Sequence, residues 1–187
     1  GTIYSNKGSY IKRWIMRWVL CRNVRYIKRY DNVVKNSQLK KELEKRGISE
    51  ITVAPVGLDL EIIPQIKETK SALREYLNLP QEKKLILCVG RLEQERNPED
   101  ALELISWLEE DYCLVMIGDG AMKAAIHEMH HRLKLEKRVY YIEKVANSEI
   151  HKYYKACDFF VNFSRTEIWG MSILEAMYQG CIVIANR

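Results

Sequence analysis

No apolar run in this sequence is long enough to cross a bilayer. The longest, Leu85–Val89, Leu114–Ile117 and Cys181–Ala185, fall far short of the ~20 residues a spanning helix needs. The chain does not start with the charged, apolar, small-residue order of a signal peptide. Cys21, Cys88, Cys113, Cys157 and Cys181 form no C-x-x-C pair and are odd in number. Three of them sit in apolar runs that read as buried strands, which fits a reduced, cytoplasmic protein better than a disulfide framework. No D-x-D motif is present to hold a divalent metal. Acids are missing from Lys7 to Arg29, a stretch holding Lys7, Lys12, Arg13, Arg17, Arg22, Arg25, Lys28 and Arg29. An initiator Met is missing too, so the chain is expected to begin inside a larger protein or after a removed tag.

What remains describes an ordinary globular chain. With 47% hydrophobic and 29% charged residues over 187 positions, it can bury a full core. The net charge of +5 is local: beyond Ile51 the charges roughly balance, so the basic excess belongs to the first segment. Ile11, Trp14, Ile15, Trp18 and Val19 recur at helical spacing within residues 9–30, with basic residues between them. Asn32–Asn36 reads as a strand, Ser37–Arg46 as a helix stopped by Gly47, and Ile51–Ala54 as a strand. From Lys84 onward the pattern alternates. Leu85–Val89, Tyr112–Ile117, Val139–Ile142, Phe159–Asn162 and Ile182–Ala185 read as strands. Pro98–Leu108, Met122–Leu133, Ser148–Lys155 and Ser172–Tyr178 read as the intervening helices, the first with Asn97 as N-cap. Continuously apolar strands joined by helices predict parallel strands covered on both faces. The expected fold class is therefore α/β, a doubly wound parallel Rossmann-like sheet, truncated at both ends. Residues 1–50 are expected to close a preceding domain, 51–83 to form a linker and a helix, and 84–187 to form the sheet domain. The sheet ends on a strand that a further helix would normally cover.

In an open parallel sheet, ligands sit outside the carboxyl ends of the strands. The segments there are Gly90–Asn97, Gly118–Ala121, Glu143–Ser148, Ser164–Ser172 and Asn186–Arg187. Arg91 and Arg96 offer two forked cations suited to phosphate oxygens. Gly118-Asp119-Gly120 enters a helix through a turn with little side-chain bulk. Ser164, Glu167 and Gly170 precede a helix start at Met171-Ser172, where free N–H groups and the helix dipole favour an anion. Together they suggest a diphosphate site.

These residues carry a family resemblance. Ala54-Pro55-Val56-Gly57-Leu58-Asp59, Val89-Gly90-Arg91-Leu92, Ile117-Gly118-Asp119-Gly120 and the E-x7-E run from Glu167 to Met177 resemble the donor-binding domain of group 1 retaining glycosyltransferases (family four, B-type fold). Asp31–Leu43 resembles the last strand and helix of that family's acceptor-side domain. The resemblance implies sugar transfer from a nucleotide-diphosphate donor, such as a UDP- or GDP-sugar, to a hydroxyl with retention. The acceptor would be a saccharide or lipid-linked saccharide of a bacterial capsule, O-antigen or exopolysaccharide. It implies that Arg91 and Arg96 hold the diphosphate and that Glu167 faces the transferred sugar. Glu175 would accept from the ribose, Gly170, Met171 and Ser172 would offer amides to phosphate, and the loop around Val145 would border the base. Gly90, Gly118, Asp119 and Gly120 complete the implied site, with no metal and no cofactor. Relatives usually carry Lys then Gly where this chain has Arg96 and Asn97, and Phe where it has Trp169.

Plainer readings stand beside these. Ser172-x-x-Glu175 spells a capping box, Glu167 could simply favour a helix dipole, and either arginine could be a surface ion-pair partner. Gly118-Asp119-Gly120 could be an ordinary turn. His127-Glu128-Met129-His130-His131 matches H-E-x-x-H but falls on a connecting helix expected to face solvent, with only His151 or Glu143 imaginable as a third ligand. The basic helix at 9–30 could pack into the neighbouring domain, lie on an anionic membrane at the inner face of the cytoplasmic membrane, or touch nucleic acid; nucleic acid is the partner not expected. Rival functions are an epimerase-like sugar-nucleotide enzyme and a non-catalytic binding module.

Overall fold

The computed structural model describes residues 18–19, 22–24, 27–28, 30–55, 57–165 and 170–186. The helical reading of residues 9–30 therefore lies mostly outside the described residues, as do Val56, Glu167, Trp169 and Arg187. The chain divides into two compact units, Gly1–Gly57 and Leu58–Arg187.

In the first unit, β1 (Asn32–Val34) pairs in parallel with β2 (Ile51–Val53). Between them runs α1 (Ser37–Glu44), capped by the Asn36 carboxamide oxygen, which accepts from the Leu39 N–H at 2.7 Å. Val34, Ile48 and Ile51 form its small core. Both strands and the helix are shorter than the sequence suggests; Asn36 is taken up as the helix N-cap, and Lys45 to Gly47 in the turn that ends the helix.

The second unit opens with α2 (Lys70–Tyr76), whose N-cap Thr69 accepts from the Ala72 N–H at 3.2 Å. There follow β3 (Lys84–Val89), α3 (Pro98–Trp107), β4 (Tyr112–Ile117), α4 (Lys123–Arg132), β5 (Val139–Ile142), α5 (Asn147–Ala156), β6 (Phe159–Asn162), α6 (Met171–Tyr178) and β7 (Ile182–Ala185). All five strands are parallel, in the order β5-β4-β3-β6-β7. Alternate residues of each strand point to opposite faces, and each face has its own core. Leu85, Leu87, Val115 and Phe160 pack with Leu73, Tyr154 and Ala176 on one side. Ile86, Leu114, Met116 and Val161 pack with Leu102, Ile105 and Ile126 on the other. This is the doubly wound sheet the apolar runs imply. β7 departs from it, since Ile182 and Ile184 are exposed.

One expectation holds in position but not in bonding, and another needs correction. Asn97 stands at the N-cap of α3, with Pro98 at the first helical position, but its side chain caps no helical N–H. It adopts the left-handed conformation (φ 51°, ψ 51°) and its amide donates to Asp100 Oδ2 at 2.8 Å. Asn is among the few side chains that tolerate this region, so it can stand where glycine is usual. The histidine face of α4 is not uniformly solvent-facing. His130 is buried, His127 stacks on Tyr141 with ring centroids 4.5 Å apart, and His131 turns out to meet Glu136 at 3.2 Å.

Asp158 anchors the sheet from its amino edge. Its carboxylate meets Lys70 Nζ and Arg74 Nη2, each at 2.7 Å, and accepts from the Leu85 N–H at 2.8 Å. Burial pushes this carboxyl up, but the Lys70 and Leu85 hydrogen bonds and the charges of Lys70 and Arg74 outweigh it, and the group lies below the ordinary carboxylate value. α2, the start of β3 and the start of β6 are thus fixed to one another.

Candidate functional site

The strand order places a topological switch point between β3 and β6, because the chain moves outward to β4 and β5 and then returns to the other side of β3. Connections on the two sides run over opposite faces, so the loops leaving β3 and β6 diverge and leave a crevice. A pocket lies there, lined by Gly90, Arg91, Arg96, Asn162, Phe163 and Ser164 among others.

The two walls are joined. Arg96 Nη1 donates to Ser164 Oγ at 3.1 Å, and the Arg165 N–H donates to the Glu95 carbonyl at 3.0 Å. The Ser164 N–H in turn donates to Asn162 Oδ1 at 3.0 Å, and Asn186 Nδ2 donates to the Phe163 carbonyl at 2.9 Å. Arg96 is half-buried and held against the β6 loop. Arg91 is exposed at the rim, and its guanidinium has no ion pair among the described residues. The surface salt-bridge reading of Arg91 therefore finds no partner there. Cys88 also lines the pocket, and burial pushes its thiol up to about 12, so it stays a neutral wall group at ordinary pH.

Gly90, Gly118 and Gly120 mark the place where the loop after β3 meets the loop after β4. The Leu92 N–H donates to the Asp119 carbonyl at 3.0 Å and the Met122 N–H to the Leu92 carbonyl at 2.9 Å. A Cβ on Gly118 would sit 1.9 Å from the Gly90 carbonyl oxygen, and one on Gly120 would sit 2.5 Å from that of Leu92. Lack of bulk here is demanded by backbone meeting backbone. The Asp119 carboxylate is local, accepting from the Gly120 N–H at 2.9 Å.

Gly170 is the N-cap of α6, in the left-handed conformation (φ 54°, ψ 37°) and without a side-chain cap. The first intrahelical acceptor is the Gly170 carbonyl, taking the Leu174 N–H at 3.0 Å. The N–H groups of Met171, Ser172 and Ile173 precede it and by helix geometry have no partner in the helix. Ser172 thus lies inside the helix and not at its N-cap, which removes the capping-box reading of Ser172 and Glu175. Glu175 is half-buried on α6. On α5, burial first of all, and then the nearby Glu175 charge, push the Tyr154 phenol above its ordinary value.

Val145 is half-buried, packed on the core between the exposed Lys144 and Ala146. Its loop is tied to the start of α4 by the Lys123–Glu143 ion pair, which raises the Lys123 ammonium above its ordinary value against a smaller lowering by burial. The ion pair occupies Glu143, and His151 lies 3.5 Å from Gln179 on another helix, so neither serves the α4 histidines. Glu167 lies outside the described residues. The sequence reading left out Asn162 and Phe163, the last residue of β6 and the one after it, which line the crevice and could have been found from that position.

Comparison with known proteins places this geometry. A model of the family Glycosyl transferases group 1 matches residues 69–187. The chain is 33% identical over 156 residues to the alpha-monoglucosyldiacylglycerol synthase of Streptococcus pneumoniae, covering 80% of this chain and 34% of that protein. It is 29% identical over 140 residues to the putative teichuronic acid biosynthesis glycosyltransferase TuaC of Bacillus subtilis, covering 75% and 34%. It spans about a third of the length of these curated relatives. Among solved structures, it resembles Anabaena HepE in complex with UDP (TM-score 0.78, 21% identity, 98% of this chain and 50% of that one). Sucrose-phosphate synthase from Thermosynechococcus elongatus gives a TM-score of 0.78 at 21% identity, over 99% and 46%. These likenesses establish the fold as half of a two-domain glycosyltransferase architecture. With the family model covering more than half of its residues, and the same parallel sheet underneath, the chain belongs to the group 1 glycosyl transferases.

Proposed function

We propose that this chain is the donor-binding part of a retaining glycosyltransferase that moves a sugar from a nucleotide-diphosphate donor to an acceptor hydroxyl. The observation that carries this reading is the switch-point crevice, where Arg91 and Arg96 stand opposite the β6 loop that leads toward the start of α6. A diphosphate needs cations and N–H donors together, and its charge grows as the glycosidic bond breaks. Donors fixed before the reaction stabilise that charge without reorganising, which lowers the barrier. Arg91 and Arg96 take the phosphate oxygens, assisted by the amides of Gly170, Met171 and Ser172. Glu175 accepts from the ribose, the loop carrying Val145 borders the base, and Glu167 faces the transferred sugar. Gly90, Gly118, Asp119 and Gly120 shape the floor. Support for a nucleotide ligand comes from HepE, solved with UDP and with UDP-glucose.

The acceptor is a saccharide or lipid-linked saccharide of a bacterial surface polymer, a reading supported by the name of the TuaC relative. The glycolipid synthase relative favours a lipid acceptor, and the acid-free basic stretch Lys7–Arg29 fits contact with the inner face of the cytoplasmic membrane. Most acceptor contacts lie in the other domain, so this chain alone binds donor weakly and does not turn over.

A thermal-shift screen of UDP-, GDP- and ADP-sugars against the chain and its Arg91→Ala variant tests the reading. One nucleotide class should raise Tm by about 5–10 °C at a hundredfold excess over Kd, and the variant should lose most of the shift. A folded chain that responds to none of them contradicts the proposal.

A further inference from the structure

Arg96 ends a short 3-10 turn, Gln94–Arg96, in the loop after β3, and its N–H donates to the Glu93 carbonyl at 2.9 Å. Its backbone is thus set, but an arginine side chain turns about several bonds and has much freedom to lose on binding. One hold on its far end is Ser164, which is 7% exposed and lines the same pocket. The Ser164 hydroxyl accepts from Arg96 Nη1 at 3.1 Å. Ser164 is itself held. Its N–H donates to Asn162 Oδ1 at 3.0 Å, and the Asn162 carbonyl accepts from the Asn186 N–H at 3.1 Å. The next residue, Arg165, donates its N–H to the Glu95 carbonyl at 3.0 Å, so a backbone bond clasps the same two loops. A guanidinium is planar, so a bond at Nη1 orients the whole fork. A hydroxyl accepts this bond without adding negative charge, whereas a carboxylate in its place would compete with phosphate for the cation.

We propose that Ser164 is a positioning residue: its buried hydroxyl holds the Arg96 guanidinium in one orientation in the crevice, set for the phosphate oxygens of a nucleoside diphosphate. This rests on the reading of Arg96 as a diphosphate ligand. Ser164 acts through Arg96, by removing part of the cost of ordering that side chain when the ligand arrives.

The test is calorimetric titration of the chain with UDP and with GDP, each beside its nucleoside, measured by competition. The ratio of the nucleoside Kd to the diphosphate Kd reads the phosphate contacts alone. Ser164→Ala should lower that ratio about fivefold and leave the nucleoside Kd unchanged. Ser164→Cys, which keeps the buried volume but is a weak acceptor, should behave like the alanine variant. In an Arg96→Ala background Ser164→Ala should add little, because the two act on one contact. In an Arg96→Lys background it should change the ratio by less than about twofold, since an ammonium presents rotating donors and no plane to fix. A merely structural role would lower Tm and weaken nucleoside and diphosphate alike, and that outcome overturns the proposal. An unchanged ratio in both Ser164 variants, with Arg96→Ala lowering it, overturns the proposal and spares the reading of Arg96. No preference for the diphosphate in the unaltered chain, or no effect of Arg96→Ala on it, overturns both.

Discussion

A methyl group on Gly118 would collide with the Gly90 carbonyl at 1.9 Å, and the backbone there (φ 154°) is one that residues with a Cβ rarely adopt. Both objections fall on one atom, and neither neighbour is a flexible side chain. Gly118→Ala should therefore cost at least about 3 kcal/mol in stability, measured by urea unfolding, and should spread the β3 and β4 loops apart. A loss under about 1 kcal/mol would contradict the contact. The sequence marks Gly118-Asp119-Gly120 as a turn before a helix, but not its reason, which is a backbone 28 residues earlier in the chain. The same limit applies to the other site residues. Arg91 and Arg96 are legible because they follow an apolar strand, whereas the Arg96–Ser164 bond joins segments 68 residues apart. Ser172-x-x-Glu175 looks like a cap because local spacing cannot reveal that Gly170, two residues earlier, already begins the helix.

At the scale of elements, the strands were the most readable. Tyr112–Ile117, Val139–Ile142 and Phe159–Asn162 stand as the apolar runs imply, because these strands are largely covered on both faces; Ile182–Ala185 forms where its apolar run implies although its face is exposed. Helix ends were less readable. α1, α2, α4 and α6 each close with the paired backbone bonds of a Schellman motif, for example Leu135 N–H to the His130 carbonyl and Lys134 N–H to the His131 carbonyl. The left-handed residue these motifs need is Gly47, Asn78, Lys134 or Gly180. Two glycines announce it, an asparagine half does, and a lysine does not. The mid-chain helix expected within 51–83 is only seven residues long, too short for a periodic stripe, and shows itself mainly through its cap Thr69. Lys134 pays a steric penalty (φ 55°) that glycine would not. Lys134→Gly should stabilise the chain by about 1 kcal/mol in denaturant unfolding, whereas the same change at a mid-helix position would destabilise it. Destabilisation at Lys134 would mean the left-handed turn is not strained.

For the whole molecule, the fold class followed from strands alternating with helices, but the strand order did not. Nothing near Phe159–Asn162 says that this strand returns to the far side of β3, and that return creates the crevice. Asp158 helps fix it by gripping α2 and the first residues of β3 at the opposite edge, a link between residues 70, 74, 85 and 158 that only the folded chain assembles. Once the order is set, the loops after β3 and β6 face each other, and Arg91, Arg96 and Ser164 line one pocket, beside which the proposed site also places the start of α6. The most direct test of that convergence is amide NMR of the isotopically labelled chain during titration with UDP and GDP. The largest shifts should fall on Gly90, Arg91, Ser164, Gly170, Met171 and Ser172 together. Shifts confined to the amino edge of the sheet, or to α4 and its histidines, would contradict the account.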